Sequence, residues 1–184
     1  MRKVLLSSVV AMALVGAGAG VFAQPADAGK SQVRFVFTQM NVPVEGQFKK
    51  FMADVKFDPA KPAEAKVDVS IDLTQADAGS PDANDALKTK DWFDTARFPQ
   101  AKFTAAGFKP VGGDKFQAVG QLNLKGRAAN VTVPFTVKTD GHGQWLEGVF
   151  PLSRTAYKVG EGEWSDTGMV ADNVQVKFKL FVPK

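Results

Sequence analysis

From residue 32 onward the chain alternates between apolar and polar side chains with a period of two, in one run after another. Such alternation puts one set of side chains on each face of an extended strand. Val33, Phe35 and Phe37 oppose Arg34, Val36 and Thr38; Phe51, Ala53, Val55 and Phe57 oppose Met52, Asp54 and Lys56; Val67, Val69, Ile71 and Leu73 oppose Asp68, Ser70 and Asp72. Later runs repeat the scheme with Phe103, Ala105 and Gly107; Phe116, Ala118, Gly120, Leu122 and Leu124; and Val131, Val133, Phe135 and Val137. Two more carry Leu146, Gly148, Phe150 and Leu152, then Val174, Val176, Phe178 and Leu180. Turn residues separate the runs: Pro43 breaks the pattern over 39–45, Asp58-Pro59 ends the second run, and Lys125-Gly126 makes a tight connection. Residues 154–172 read as a long polar connection.

One stretch departs from this. Ser80 suits a helix cap, Pro81 the first helical position, and Asp82 and Asp85 the positive end of the dipole, which predicts a short helix over about 81–91. Its stripe is Ala83, Ala86 and Leu87, and Trp92, Phe93, Phe98 and Phe103 follow closely. So many aromatics need a larger apolar partner than the helix offers. The expectation is a segment that closes one end of a barrel, as a gate or as a fixed plug.

Sequential strands with mostly short connections predict an all-β fold, an antiparallel barrel of about eight strands, with a sandwich as the rival. Small inward residues, Ala53, Ala105, Gly107, Ala118, Gly120 and Gly148, favour a barrel with room for one small ligand.

The first residues change the picture of where this domain works. A basic start at Arg2 and Lys3, an apolar run from Val4 to Val15 and small residues around Val21-Phe22-Ala23 read as a cleavable export signal over 1–23, with the domain over 24–184. The apolar run is too short to cross a bilayer and no second one follows. With no cysteine, disulfides, thiol catalysis and thiolate metal sites are excluded. The net charge of +4 includes the two cations of the signal, so nucleic acid is not an expected partner.

Candidate chemistry is sparse. The single histidine, His142, lies between glycines at a hairpin tip, and Asp54, Asp68 and Asp72 fall on outward strand phases, so no catalytic residue, metal or cofactor is expected. Arg154 continues the inward phase after Leu152. A buried guanidinium needs partners, either groups of the protein or a ligand head group.

Several pieces together resemble the YceI-like family, described as polyisoprenoid-binding and lipocalin-like. They are Ser31-x-Val33-x-Phe35, Gly46-x-Phe48 with Phe51, Leu87 with Trp92-Phe93-Asp94, Phe98-Pro99, Gly120-x-Leu122-x-Leu124-x-Gly126, Arg154 with Tyr157 and Gly160, and Asp172-x-Val174. The resemblance implies a lipocalin-like barrel closed by a helix, holding a long isoprenoid or similar lipid, in the bacterial periplasm or secreted. Many members carry a histidine where this chain has Gln39.

The first functional reading is therefore non-enzymatic binding and carriage of a long-chain lipid of the polyisoprenoid or isoprenoid quinone type in the periplasm. Phe35, Phe37, Val69, Ile71, Phe103, Phe116, Leu122, Val133, Phe135, Phe150 and Phe178 would form the apolar tunnel, Trp92 and Phe93 its closure, and Arg154 a head-group contact. The second is a stress-related envelope interaction protein whose barrel core is filled. Hydrolysis by two carboxylates ranks last. Oligomeric state, homodimer included, stays open.

Overall fold

The computed structural model describes residues 23–184, so the export signal lies, apart from Ala23, outside the described residues. Eleven strands form one antiparallel sheet: β1 Gln24–Pro25, β2 Gln32–Gln39, β3 Val42–Phe48, β4 Phe51–Lys56, β5 Lys66–Asp72, β6 Ala76–Asp77, β7 Gln100–Gly112, β8 Lys115–Leu124, β9 Arg127–Thr139, β10 Gly143–Ser153 and β11 Asn173–Pro183. Their order is β1-β4-β5-β7-β8-β9-β10-β11-β2-β3-β6. The sheet curls until its edges meet, because β3 runs straight into β4 and the chain after β5 crosses to pair, as β6, with the end of β3. At this seam the Lys49 N–H donates to the Gln75 carbonyl and the Asp72 N–H to the Lys50 carbonyl.

Eight of the strands, β2, β4, β5 and β7 to β11, are the alternating runs of the sequence. The other three are short or irregular. β3 replaces the break expected over 39–45: Met40 and Asn41 take left-handed conformations (φ 50° and 65°) and close a two-residue hairpin. Pro43 is tolerated because β3 is paired on one side only there, where no ladder bond is lost. In β7 a bulge between Ala105 and Phe108 places Gly107 at φ 72° and shifts the phase, so Phe108, not the residue after it in strict alternation, turns inward.

The helix α1, Pro81–Lys88, is capped as expected, with the Ser80 hydroxyl accepting from the Ala83 N–H. It stops three residues earlier than expected because Thr89 is extended and its N–H and hydroxyl both donate to the Ala86 carbonyl.

The interior has two packed ends. At one, Phe57, Phe108, Phe116 and Phe135 meet largely edge to face, with ring centroids 5.1 Å apart for Phe57 and Phe116 and 5.2 Å for Phe108 and Phe135. At the other, Leu87 of α1 and Phe93 pack with Phe35, Leu73, Leu124, Tyr157 and Val159. Two glycines shape the wall between. A Cβ at Gly46 would collide with the ring of Phe35, and one at Gly148 with the ring of Phe178, because each ring lies over the glycine opposite it. The room that sequence reasoning assigned to Gly148 is thus taken up by a ring held against the wall.

Candidate functional site

Between the two packed ends lies a cavity of about 450 Å³. Its wall carries the inward faces of the strands, and many of these residues, Phe37, Val69, Ile71, Phe103, Leu122 and Phe178 among them, stay only half-buried although their strands' outer faces are the wet ones. Their remaining exposure faces the cavity. The premise of a filled core is therefore not met.

Of the residues singled out in the sequence, Phe35, Phe37, Val69, Ile71, Trp92, Phe93, Phe103, Leu122, Val133, Phe135, Phe150, Arg154 and Phe178 all line this space. Phe116 does not. It is inward but sits in the aromatic cluster at the far end, behind Phe108 and Phe135. Residues that sequence reasoning missed include Asp82, Ala83 and Ala86 of α1, Phe108, Trp164 and Val170. The polar members are few: Gln39, Asp82 and Arg154, with the indoles of Trp92 and Trp164.

Arg154 shows how the closing end is built. It follows β10 in helical conformation and is 2% exposed. Nε donates to the carbonyls of Val170 and Ala171 (3.3 and 3.2 Å), Nη1 to Val159 and Gly160 (2.9 Å each), and Nη2 to Trp164 and Val170 (2.8 and 2.6 Å). Every N–H of the fork has a backbone acceptor, so of the two kinds of partner left open for this residue the structure shows groups of the protein. Burial lowers its pKa and the charge of Asp172 works against that. The connection over 154–172, expected to be polar surface, is instead a strap drawn over the cavity around one guanidinium, with Tyr157, Val159 and Val170 buried beneath it.

Other bonds fix the strap to its neighbours. The N–H groups of Gly160 and Glu161 donate to the Asp91 carbonyl, both at 2.8 Å, and Trp92 packs on Trp164 with centroids 5.6 Å apart. On the other side the Met40 N–H donates to the Met169 carbonyl and the Ala171 N–H to the Thr38 carbonyl. Lys125 reaches from the β8–β9 turn to the Lys158 carbonyl (2.6 Å) and to Glu161 (3.1 Å). Trp92 Nε1 and the Tyr157 hydroxyl are buried with no partner among the described residues, and burial pushes the Tyr157 hydroxyl pKa up.

Asp172 anchors the strap's far end. Burial works to raise its pKa, but the Thr155 hydroxyl and N–H (2.6 and 2.9 Å) and the Ser153 hydroxyl (3.0 Å) donate to one carboxylate oxygen and hold it below the usual range. Asp72 and Asp77 are lowered too, the first chiefly by the Thr74 hydroxyl and the second chiefly by Lys49. A carboxylate with a lowered folded pKa adds stability that is complete above its unfolded pKa and lost as pH falls through the folded value. Thermal stability should therefore be level above about pH 4 and decline below it, and Asp172→Asn should flatten part of that decline. Wild-type protein with the same melting temperature at pH 3 and pH 7 would refute this.

His142 stands exposed at its hairpin tip, where its own N–H donates to Asp140 (2.8 Å), and among the described residues no group of three or more His, Asp or Glu is placed to hold a metal ion.

Comparison with known proteins agrees with this architecture. The YceI-like domain model matches residues 25–182. Protein YceI of Escherichia coli O157:H7 is 32% identical over 149 residues, 79% of this chain and 78% of that protein. The crystal structure of Burkholderia cenocepacia BcnA superposes with a TM-score of 0.84 at 49% identity, covering 85% of this chain and 99% of that one. A domain of Saccharophagus degradans described as polyisoprenoid-binding gives a TM-score of 0.71 at 18% identity over 88% of this chain and 98% of its own. The domain match over 25–182 and the 32% identity to Protein YceI, with the curled antiparallel sheet and its short helix α1, thus lead to one conclusion: the chain belongs to the YceI-like family.

Proposed function

We propose that this protein binds and carries a long-chain apolar lipid of the isoprenoid type, without catalysis, in the bacterial periplasm. The observation that carries the reading is the cavity itself, about 450 Å³ and walled by Phe, Val, Leu and Ile with only three non-aromatic polar residues. Its volume lies within the range of about 300–1,000 Å³ common to ligand sites, and an apolar wall gives an apolar chain its full transfer free energy. The polyisoprenoid-binding description of the S. degradans domain supports the choice of ligand class. The periplasmic setting rests on the export signal in the sequence.

Carriage needs a closure that opens. The segment just after α1 and the strap join through Asp91 and the Trp92–Trp164 pair, and Trp92 Nε1 lacks a partner among the described residues while they are together. Separating them gives that N–H to water or to the ligand, which makes this contact the natural gate.

The test is mass spectrometry of an organic extract of protein taken from its native envelope. The expected result is an isoprenoid lipid near one per protein. Folded protein that yields no stoichiometric lipid, and takes none up from added isoprenoid, would defeat the proposal.

A further inference from the structure

We infer that the mouth of the cavity selects lipids with an uncharged head group and rejects those with a phosphate, with Asp82 as the residue that sets the preference. The inference rests on the lipid-binding reading and adds the chemistry of the head group to it. Among the cavity-lining residues described, Asp82 is the one that is exposed, so the cavity reaches solvent beside the first turn of α1. A lipid that fills the apolar wall with its chain leaves its head at this carboxylate.

Two features of the cavity lining could have neutralised a phosphate, Arg154 and the positive end of α1. Arg154 is the only arginine or lysine among the described lining residues, and its N–H groups all go to backbone carbonyls. At the positive end of α1 Pro81 has no N–H and the Ser80 hydroxyl takes the N–H of Ala83, which leaves the Asp82 N–H alone among the first three helical positions. Asp82 adds its own negative charge to that turn. An anionic head would meet a like charge and, among the described lining residues, no free lysine or arginine, whereas an uncharged head escapes that repulsion.

The experiment compares farnesol with farnesyl monophosphate, two probes with the same chain, by titrating the folded protein and following tryptophan fluorescence. Trp92 and Trp164 line the cavity and report entry of either chain. Wild-type protein should bind farnesol at least about tenfold more tightly. Asp82→Asn should narrow the ratio and Asp82→Lys should reverse it, through the affinity for the phosphate. Asp85→Asn removes a carboxylate of the same helix that pairs with Lys88 and does not line the cavity, so it should leave the ratio alone. Equal or tighter binding of the phosphate by wild type overturns the inference while leaving lipid binding standing. A ratio unmoved by both Asp82 substitutions removes Asp82 from the role. Binding of neither probe defeats the lipid-binding reading and this inference with it.

Discussion

Replacing Arg154 with lysine is expected to cost the fold about 3–5 kcal/mol and to lower the melting temperature by on the order of 10 °C. The guanidinium collects carbonyls from Val159, Gly160, Trp164, Val170 and Ala171, which no other side chain gathers. Lysine brings the same charge but a single point of attachment, and most of those acceptors would be left buried and unpaired. Glycine at position 160 belongs to the same arrangement, since a Cβ there would collide with Arg154 Nη1. The loss should be concentrated in the strap, so Trp164 should become more accessible to an added quencher before the sheet unfolds. A lysine variant that melts with wild type would show that the strap holds without its hub.

Filling the cavity should have the opposite signature: almost no loss of stability and almost complete loss of ligand. Val69 lies on β5, half-buried, with its side chain on the cavity. An added indole there enters empty space and gains contacts rather than displacing neighbours, so Val69→Trp should change stability by less than about 1 kcal/mol. Lipid uptake should fall at least about tenfold. Ala105 is the contrasting site. It also faces inward, but it packs against the aromatic end and does not line the cavity, and a Cβ on Gly120 opposite would already come within 2.7 Å of its own. Ala105→Phe should cost about 1–3 kcal/mol or more. Both measurements belong on delipidated protein, because bound lipid raises the wild type's apparent stability by mass action. Equal destabilisation by the two substitutions would mean that the space at Val69 is not open in solution.

These two sites also show what a strand pattern conveys. A period of two states which face of the sheet a residue occupies, and for Val69, Phe103, Phe150 and Phe178 that was enough to find the cavity wall. It does not state how far along the barrel axis the residue lies. Phe116 has an inward phase as clean as that of Phe135, yet Phe116 is in the packed end and Phe135 reaches the cavity. The bulge at Gly107 and the hairpin at Met40-Asn41 were hidden for a different reason: each depends on left-handed backbone at a single position or pair, which breaks the alternation without an apolar signal of its own. The strap was hidden most deeply. Its organising acceptors are main-chain carbonyls, which every residue possesses and no side-chain pattern marks, so the sequence displayed the donor at Arg154 and none of its partners.

The aromatic end of the barrel constrains the direction of traffic. Phe57, Phe108, Phe116 and Phe135 seal it by interlocking rings, far from the mouth beside Asp82. The vessel is thus a cup and not a conduit. On the lipid-carrying reading proposed above, a lipid would go in tail first and leave head first through the same door, and could not be handed on by passing through. Donor and acceptor would each be met mouth to face, one after the other, so delivery would require the carrier to let go of the first, turn and present the same rim to the second.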